Sequence, residues 1–140
     1  MQAAKDGRTV ILAEAGWHLG GMSVEGLGGT DIDNHRHFQN STAVGGLALE
    51  FYRRINRHYG REAEFEAMLR SRGKVSRLWR FEPHVAAAVF EAWVREAGVT
   101  VLRGHRLRTE GGVAKDGARI LALHFENGAE VRARCFIDAT

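Results

Sequence analysis

The sequence has 140 residues, 44% of them hydrophobic and 26% charged, and a formal net charge of +3. That size suits one domain around one core, and that mix is the mix of an ordinary globular protein. It holds no apolar run near the ~20 residues of a membrane helix, no apolar signal-peptide core in residues 1–8, and one cysteine, Cys135, which excludes an internal disulfide framework and a multi-cysteine zinc site and points to a reducing, cytoplasmic setting.

Residues 1–7 (MQAAKDG) read as the last turns of a helix, with Gly7 as a left-handed stop. Arg8–Ala13 (RTVILA) is a short continuous apolar run, the pattern of a parallel strand covered on both faces. Helix, glycine, buried strand is the second half of a βαβ unit. Residues 16–46 carry Gly-Gly pairs at 20–21, 28–29 and 45–46 and read as a functional loop. Trp17, Leu19, Met22 and Leu27 argue against disorder there.

Leu47–Tyr59 is predicted helical, since Leu47, Phe51, Ile55 and Tyr59 recur every four residues and Gly60 can end the run. A more polar helix follows over Glu62–Arg72, ending near Gly73. The next helix starts at Pro83, because proline lacks the N–H that is unpaired in a first turn anyway. Val85, Val89 and Trp93 form its apolar stripe, and Gly98 ends it. Val99–Arg103 (VTVLR) repeats the order of helix, glycine, strand. His105–Glu110, Arg119–Glu126 and Glu130–Ala133 then read as an antiparallel meander, with Asp116-Gly117 and Asn127-Gly128 as hairpin signals. Leu121, Leu123 and Phe125 would make its buried face. Cys135–Thr140 (CFIDAT) suits one more buried parallel strand, with Cys135 as a small core residue. There is no internal repeat and no linker, so one domain over residues 1–140 is expected.

Charge is uneven along the chain. From Arg53 to Arg80 there are nine Lys/Arg and three Asp/Glu. Such a segment is most often a solvated helix face, and otherwise a surface for nucleic acid or an acidic substrate. It ends in Trp79 and Phe81 but lacks the interleaved aromatics of a single-strand binder, so a small nucleic-acid module is the lesser alternative. Asp31, Asp33, His35 and His37 have no recognised metal-ligand spacing and read as a polar loop, and no metal site is expected. His84, beside Pro83, reads as a helix-start residue. No catalytic side chain can be picked out.

Glu14 is the sharpest candidate. An acid directly after such a strand is where dinucleotide folds hold a ribose through its hydroxyls, and a carboxylate can accept two hydroxyl protons at once. In that fingerprint the acid lies roughly 20 residues beyond a glycine loop, whereas 13 residues precede Glu14. The adjacent glycines of Trp17-His18-Leu19-Gly20-Gly21-Met22 allow close backbone approach to a ligand.

Together, VILAEAGWHLGGMSVEGLGGTD (10–31), GGLALEFYRRINRHYG (45–60), WRFEPHVAAAVFEAW (79–93), GVTVLRGHRL (98–107) and CFIDAT (135–140) resemble the FAD-dependent oxidoreductase family with the glutathione-reductase-like FAD-binding fold. The likeness covers nearly the whole chain, most loosely residues 61–78. It implies an incomplete Rossmann-like α/β FAD/NAD(P)-binding domain with parallel strands, helices and an antiparallel meander. It also implies FAD as cofactor and flavin-mediated redox of a small-molecule substrate that the sequence does not identify. Under it Glu14 binds the adenosine ribose, Gly20, Gly21 and Met22 run beside the flavin, Leu107 offers backbone contacts to adenine, and Asp138 and Ala139 return the chain toward the cofactor. The family's glycine-loop strand and substrate domain have no counterpart among these residues. The expectation is therefore a fragment that needs those segments for function and that alone is marginally stable and free of flavin. An inactive truncated remnant is the other alternative. No membrane partner is expected.

Overall fold

The apolar spacing of the sequence is converted into two compact units, Met1–Val10 with His18–Val99 and Ile11–Trp17 with Thr100–Thr140. The structure is a computed structural model, and it describes residues 1–26, 32, 43–73 and 75–139. The pair Gly28-Gly29, Leu27, the Asp31–His37 cluster and Thr140 lie outside the described residues, as does Lys74 of the basic segment. The architecture is of mixed α/β type, with one parallel and one antiparallel sheet, the composition expected of an incomplete FAD-binding domain.

The first unit is helical. It holds α1 (Gln2–Lys5), a 3-10 turn (Gly21–Ser23), α2 (Gly46–His58), α3 (Glu62–Ser71), a second 3-10 turn (Ser76–Trp79) and α4 (Pro83–Glu96). α4 starts where the proline places it, and Val85, Ala86, Val89, Trp93 and Val94 form its buried face. Beyond its end Gly98 takes a φ of +65°, a conformation without penalty for glycine alone. α2 buries Phe51, Tyr52, Ile55 and Asn56, and α3 buries Phe65 and Met68. These faces close over Leu78 and Trp79 of the second 3-10 turn, both essentially inaccessible. The core is aromatic: Tyr52 and Phe65 meet Trp79 edge-on at 4.8 and 5.1 Å between ring centroids, and Phe51 stacks on Phe90 at 5.0 Å. Such geometries add to the gain from burial itself. α3 ends near Gly73 as expected, and the left-handed residue at its end is Arg72 (φ +53°). The Gly73 N–H reaches back to the Met68 carbonyl at 2.9 Å and closes the helix end.

The second unit is built of strands. β1 (Ile11–Ala13) pairs in parallel with β2 (Thr100–Leu102), Ile11 opposite Thr100. β3 (Val113–Asp116), β4 (Arg119–His124) and β5 (Glu130–Val131) form the antiparallel meander in that order. Asp116 pairs with Arg119 around Gly117 (φ +55°), the two-residue hairpin that the Asp-Gly signal announces. At the second signal the Asn127 side chain accepts the Ala129 N–H at 3.0 Å and Gly128 N–H donates to the Phe125 carbonyl at 3.0 Å.

Four strand expectations are corrected. β1 is not covered on both faces: Ile11 is 46% exposed, and β2 pairs along its edge rather than over a face. His105–Glu110 is not a strand but an isolated bridge between Leu107 and Phe125. The partner of β4 is the short polar segment Val113–Asp116, which starts after Gly111-Gly112. Of the expected buried face Phe125 is buried and Leu123 half-buried, but Leu121 is 37% exposed, and Ala122 of the opposite face is buried. Residues 135–139 form no strand, Cys135 is exposed and Ile137 is 81% exposed; an apolar run does not become a strand without a neighbour to complete its hydrogen bonds.

Candidate functional site

The C-terminal end of β1 positions the acid. The Glu14 N–H donates to the Leu102 carbonyl at 2.9 Å and its carbonyl accepts the His105 N–H at 2.9 Å, which carries the parallel ladder one residue past the strand. Gly104 N–H then donates to the Gly16 carbonyl at 3.0 Å. The backbone of residues 14–16 is thus tied at three points to the segment after β2. The half-buried Glu14 carboxylate turns back on its own loop, where Oε1 accepts the Gly16 N–H at 2.7 Å. No described residue donates to Oε2. One oxygen fixes the group on its own loop. In open parallel sheets ligands bind beyond the carboxyl ends of the strands, which is where this acid stands.

Next to it, Trp17 is 72% exposed. Its carbonyl accepts from Arg103 Nε at 3.2 Å, and its indole lies 3.6 Å from where a Cβ on Gly104 would stand. Leu107 is 41% exposed. Its neighbours make the bridge to Phe125: Arg108 N–H donates to the His124 carbonyl at 3.1 Å, and Glu126 N–H to the Arg106 carbonyl at 2.9 Å. In an antiparallel pair of this kind the two opposed residues exchange no bonds. The Leu107 N–H and C=O therefore point away from Phe125. Asp138 and Ala139 are exposed in the same unit, outside any strand.

Gly20, Gly21 and Met22 belong to the helical unit. Gly20 has a φ of +114°, and a Cβ there would stand 2.6 Å from the Phe90 ring and 2.8 Å from Val24. This glycine is required by the packing of the loop onto α4. Gly21 (φ +49°) has nothing within 4 Å of a built Cβ, and Met22 is 72% exposed. The two glycines differ in kind: Gly20 closes the loop onto its own unit, and Gly21 presents open backbone. We expect Gly20→Ala to cost on the order of 1–3 kcal/mol by overpacking, with Gly21→Ala well below it. Urea midpoints of the two variants measure the difference, and equal midpoints would remove the packing role of Gly20.

Four of the nine basic residues of the segment are ion-paired with described residues. Arg53 pairs with Glu66 at 2.6 Å, Arg54 with Glu50 at 2.9 Å and Glu96 at 2.7 Å, Arg57 with Glu62 at 2.6 Å, and Arg77 with Glu64. The Arg57 hydrogen bond holds the Glu62 carboxyl below its ordinary range. Among the described residues no group of His, Cys, Asp and Glu could hold a metal ion, and no helix is long and apolar enough to cross a membrane.

The sequence singled out Glu14 but gave no sign of the N–H that anchors it. The Glu-x-Gly spacing of residues 14–16 is the signal that could have been read. Gly112 was also missed: a Cβ there would stand 2.1 Å from the Arg108 carbonyl oxygen, so only glycine fits beneath the segment that carries Leu107. The family model described as FAD dependent oxidoreductase matches residues 1–140. No curated protein and no solved structure matches the chain.

Proposed function

We propose, from the premise that the chain belongs to the FAD-dependent oxidoreductase family, that Glu14 holds the adenosine ribose of FAD in a protein that oxidises or reduces a small molecule. Membership implies FAD as the cofactor and a flavin-linked redox role. The observation that carries the finer reading is the Glu14 carboxylate at the end of a parallel strand, with Oε1 held by the Gly16 N–H and Oε2 left for a hydroxyl donor. A loop that already fixes its acid gives up little order when the ligand arrives.

The residues present fit the group. Leu107 turns its backbone donor and acceptor outward, as an adenine edge needs. Gly21 offers open backbone of the kind that runs beside a flavin, and Met22 follows it on the surface. Asp138 and Ala139 carry the chain onward after the meander. When bound, FAD supplies the redox chemistry on its ring system, and the protein supplies position and electrostatics. No side chain of this chain is assigned a catalytic role, and the setting we propose is cytoplasmic.

Glu14→Ala tests the reading in a version of the protein preceded by a strand and a G-x-G-x-x-G loop. Leaving ribose hydroxyls unpaired costs about 1–3 kcal/mol, or roughly ten- to a hundredfold in FAD affinity. Glu14→Asp should lose less, since it keeps the charge. Retention of flavin, followed by its absorbance and fluorescence, measures both. Unchanged retention in Glu14→Ala would refute the ribose role.

A further inference from the structure

Four element ends of the helical unit meet at one hollow. Tyr59 ends α2, Arg61 precedes α3, Arg77 lies in the second 3-10 turn, and Arg80, Phe81 and Glu82 lead into α4. These residues line a concavity of about 320 Å³. Three arginines and one glutamate line it; with Arg77 matched by Glu64, Arg61 and Arg80 against Glu82 leave a local excess of one positive charge.

The carboxylate is already engaged. The Tyr59 hydroxyl donates to Glu82 Oε2 at 2.6 Å and accepts the Glu82 N–H at 3.1 Å. Burial first, and then this bond, hold the Tyr59 phenol above its ordinary pKa, so it remains a neutral donor at physiological pH. Arg77 is partnered outside the hollow by Glu64. Arg61 and Arg80 are not so matched. Arg61 lies 4.2 Å over the Tyr59 ring, makes one long hydrogen bond to the Arg77 carbonyl at 3.4 Å, and has its Nε out of water with no acceptor. Arg80 is exposed and ion-pairs with no described residue. Arg53, Arg54, Arg57 and Arg77 of the same segment each have a glutamate, and two of the arginines that lack one converge on this hollow.

We propose that this hollow binds a phosphate group, either inorganic phosphate or the phosphomonoester end of a small molecule. Planar guanidinium groups pair with phosphate oxygens through parallel charge-assisted bonds, and Arg61 and Arg80 are the two guanidinium groups of the hollow with no carboxylate of their own. The hollow lies in the helical unit and the Glu14 site in the other, so the inference stands independently of the cofactor reading.

The test is calorimetric titration of the full chain with inorganic phosphate, against sodium chloride at matched ionic strength. Saturable binding to phosphate and none to chloride is expected. Arg80→Gln removes an exposed, unpaired side chain and should weaken binding at least about tenfold. Arg61→Gln should do the same if its thermal transition shows that it folds; if it does not fold, Arg80→Gln carries the test. Arg70→Gln, on the same segment but outside the hollow, should bind as the parent does. Unchanged affinity in Arg80→Gln, or an equal loss in Arg70→Gln, would overturn the site. Binding of an oligonucleotide with no response to free phosphate would overturn it too, in favour of an extended polyanion surface. A phosphomonoester that binds more tightly than inorganic phosphate would support the site and identify which source fills it.

Discussion

Trp79→Ala is expected to destabilise the helical unit by about 3–5 kcal/mol, the range for removing a large aromatic from a closed core. The indole is 1% exposed and is met edge-on by Tyr52 and Phe65. It sits in a 3-10 turn, where few backbone bonds hold the segment, so packing keeps Ser76–Trp79 in place. A native domain has about 5–15 kcal/mol in all, so the loss is a large share of the total. Urea unfolding followed by circular dichroism should show a lower midpoint with an unchanged slope. Trp79→Phe should retain part of the stability, because it keeps a ring between the two partners. A loss below about 1 kcal/mol in Trp79→Ala would show that the core collapses around the gap.

Asn56→Asp is the second large effect. Asn56 is fully buried on α2, and its Nδ2 donates to the Tyr52 carbonyl at 2.9 Å and to the Leu78 carbonyl at 2.8 Å. The second bond ties α2 to the turn that carries Trp79. A carboxylate can donate neither, and it would face two carbonyl oxygens out of water. Each unmet contact costs about 1–3 kcal/mol, more with a charge, so roughly 3–5 kcal/mol is expected at neutral pH. The sign with pH follows: burial raises the introduced carboxyl's folded pKa above its unfolded value. The deficit relative to the parent is therefore smallest in acid, where the neutral form donates one bond, and it grows as pH rises above the unfolded pKa. Asn56→Leu should lose less at neutral pH and show no such growth. A pH-independent difference between Asn56→Asp and the parent would show that the carboxylate escapes to water.

The helices were legible because their determinants are local. Pro83, Gly98 and the stripe of Val85, Val89 and Trp93 lie within one stretch of α4, and Phe51 and Ile55 do the same for α2. The strands were less legible because burial on a strand depends on what lies across from it. β4 has apolar residues on both faces, Ile120 and Ala122 on one and Leu121 and Leu123 on the other, so alternation does not decide which is buried. Its partner Val113–Asp116 is short and polar, and it pairs with a register shift between Ala114 and Lys115 that no local pattern announces. At the candidate site the acid was readable from strand-then-carboxylate order. The outward Leu107 backbone was not, since it depends on the bridge to Phe125. The arginine hollow was invisible for the same reason: Arg61 and Arg80 meet only once the turn at Ser76–Trp79 is folded.

The pairing of Ile11 with Thr100 has a consequence for synthesis. Roughly ninety residues must leave the ribosome between the two strands, which at about 5–20 residues per second takes on the order of five to twenty seconds. Throughout that interval the nascent β1, with Glu14 at its end, lacks its partner β2, while the helices α2, α3 and α4 emerge and can fold. The helices that carry the aromatic core thus emerge before the parallel pair can close, and the strands of the meander follow after it.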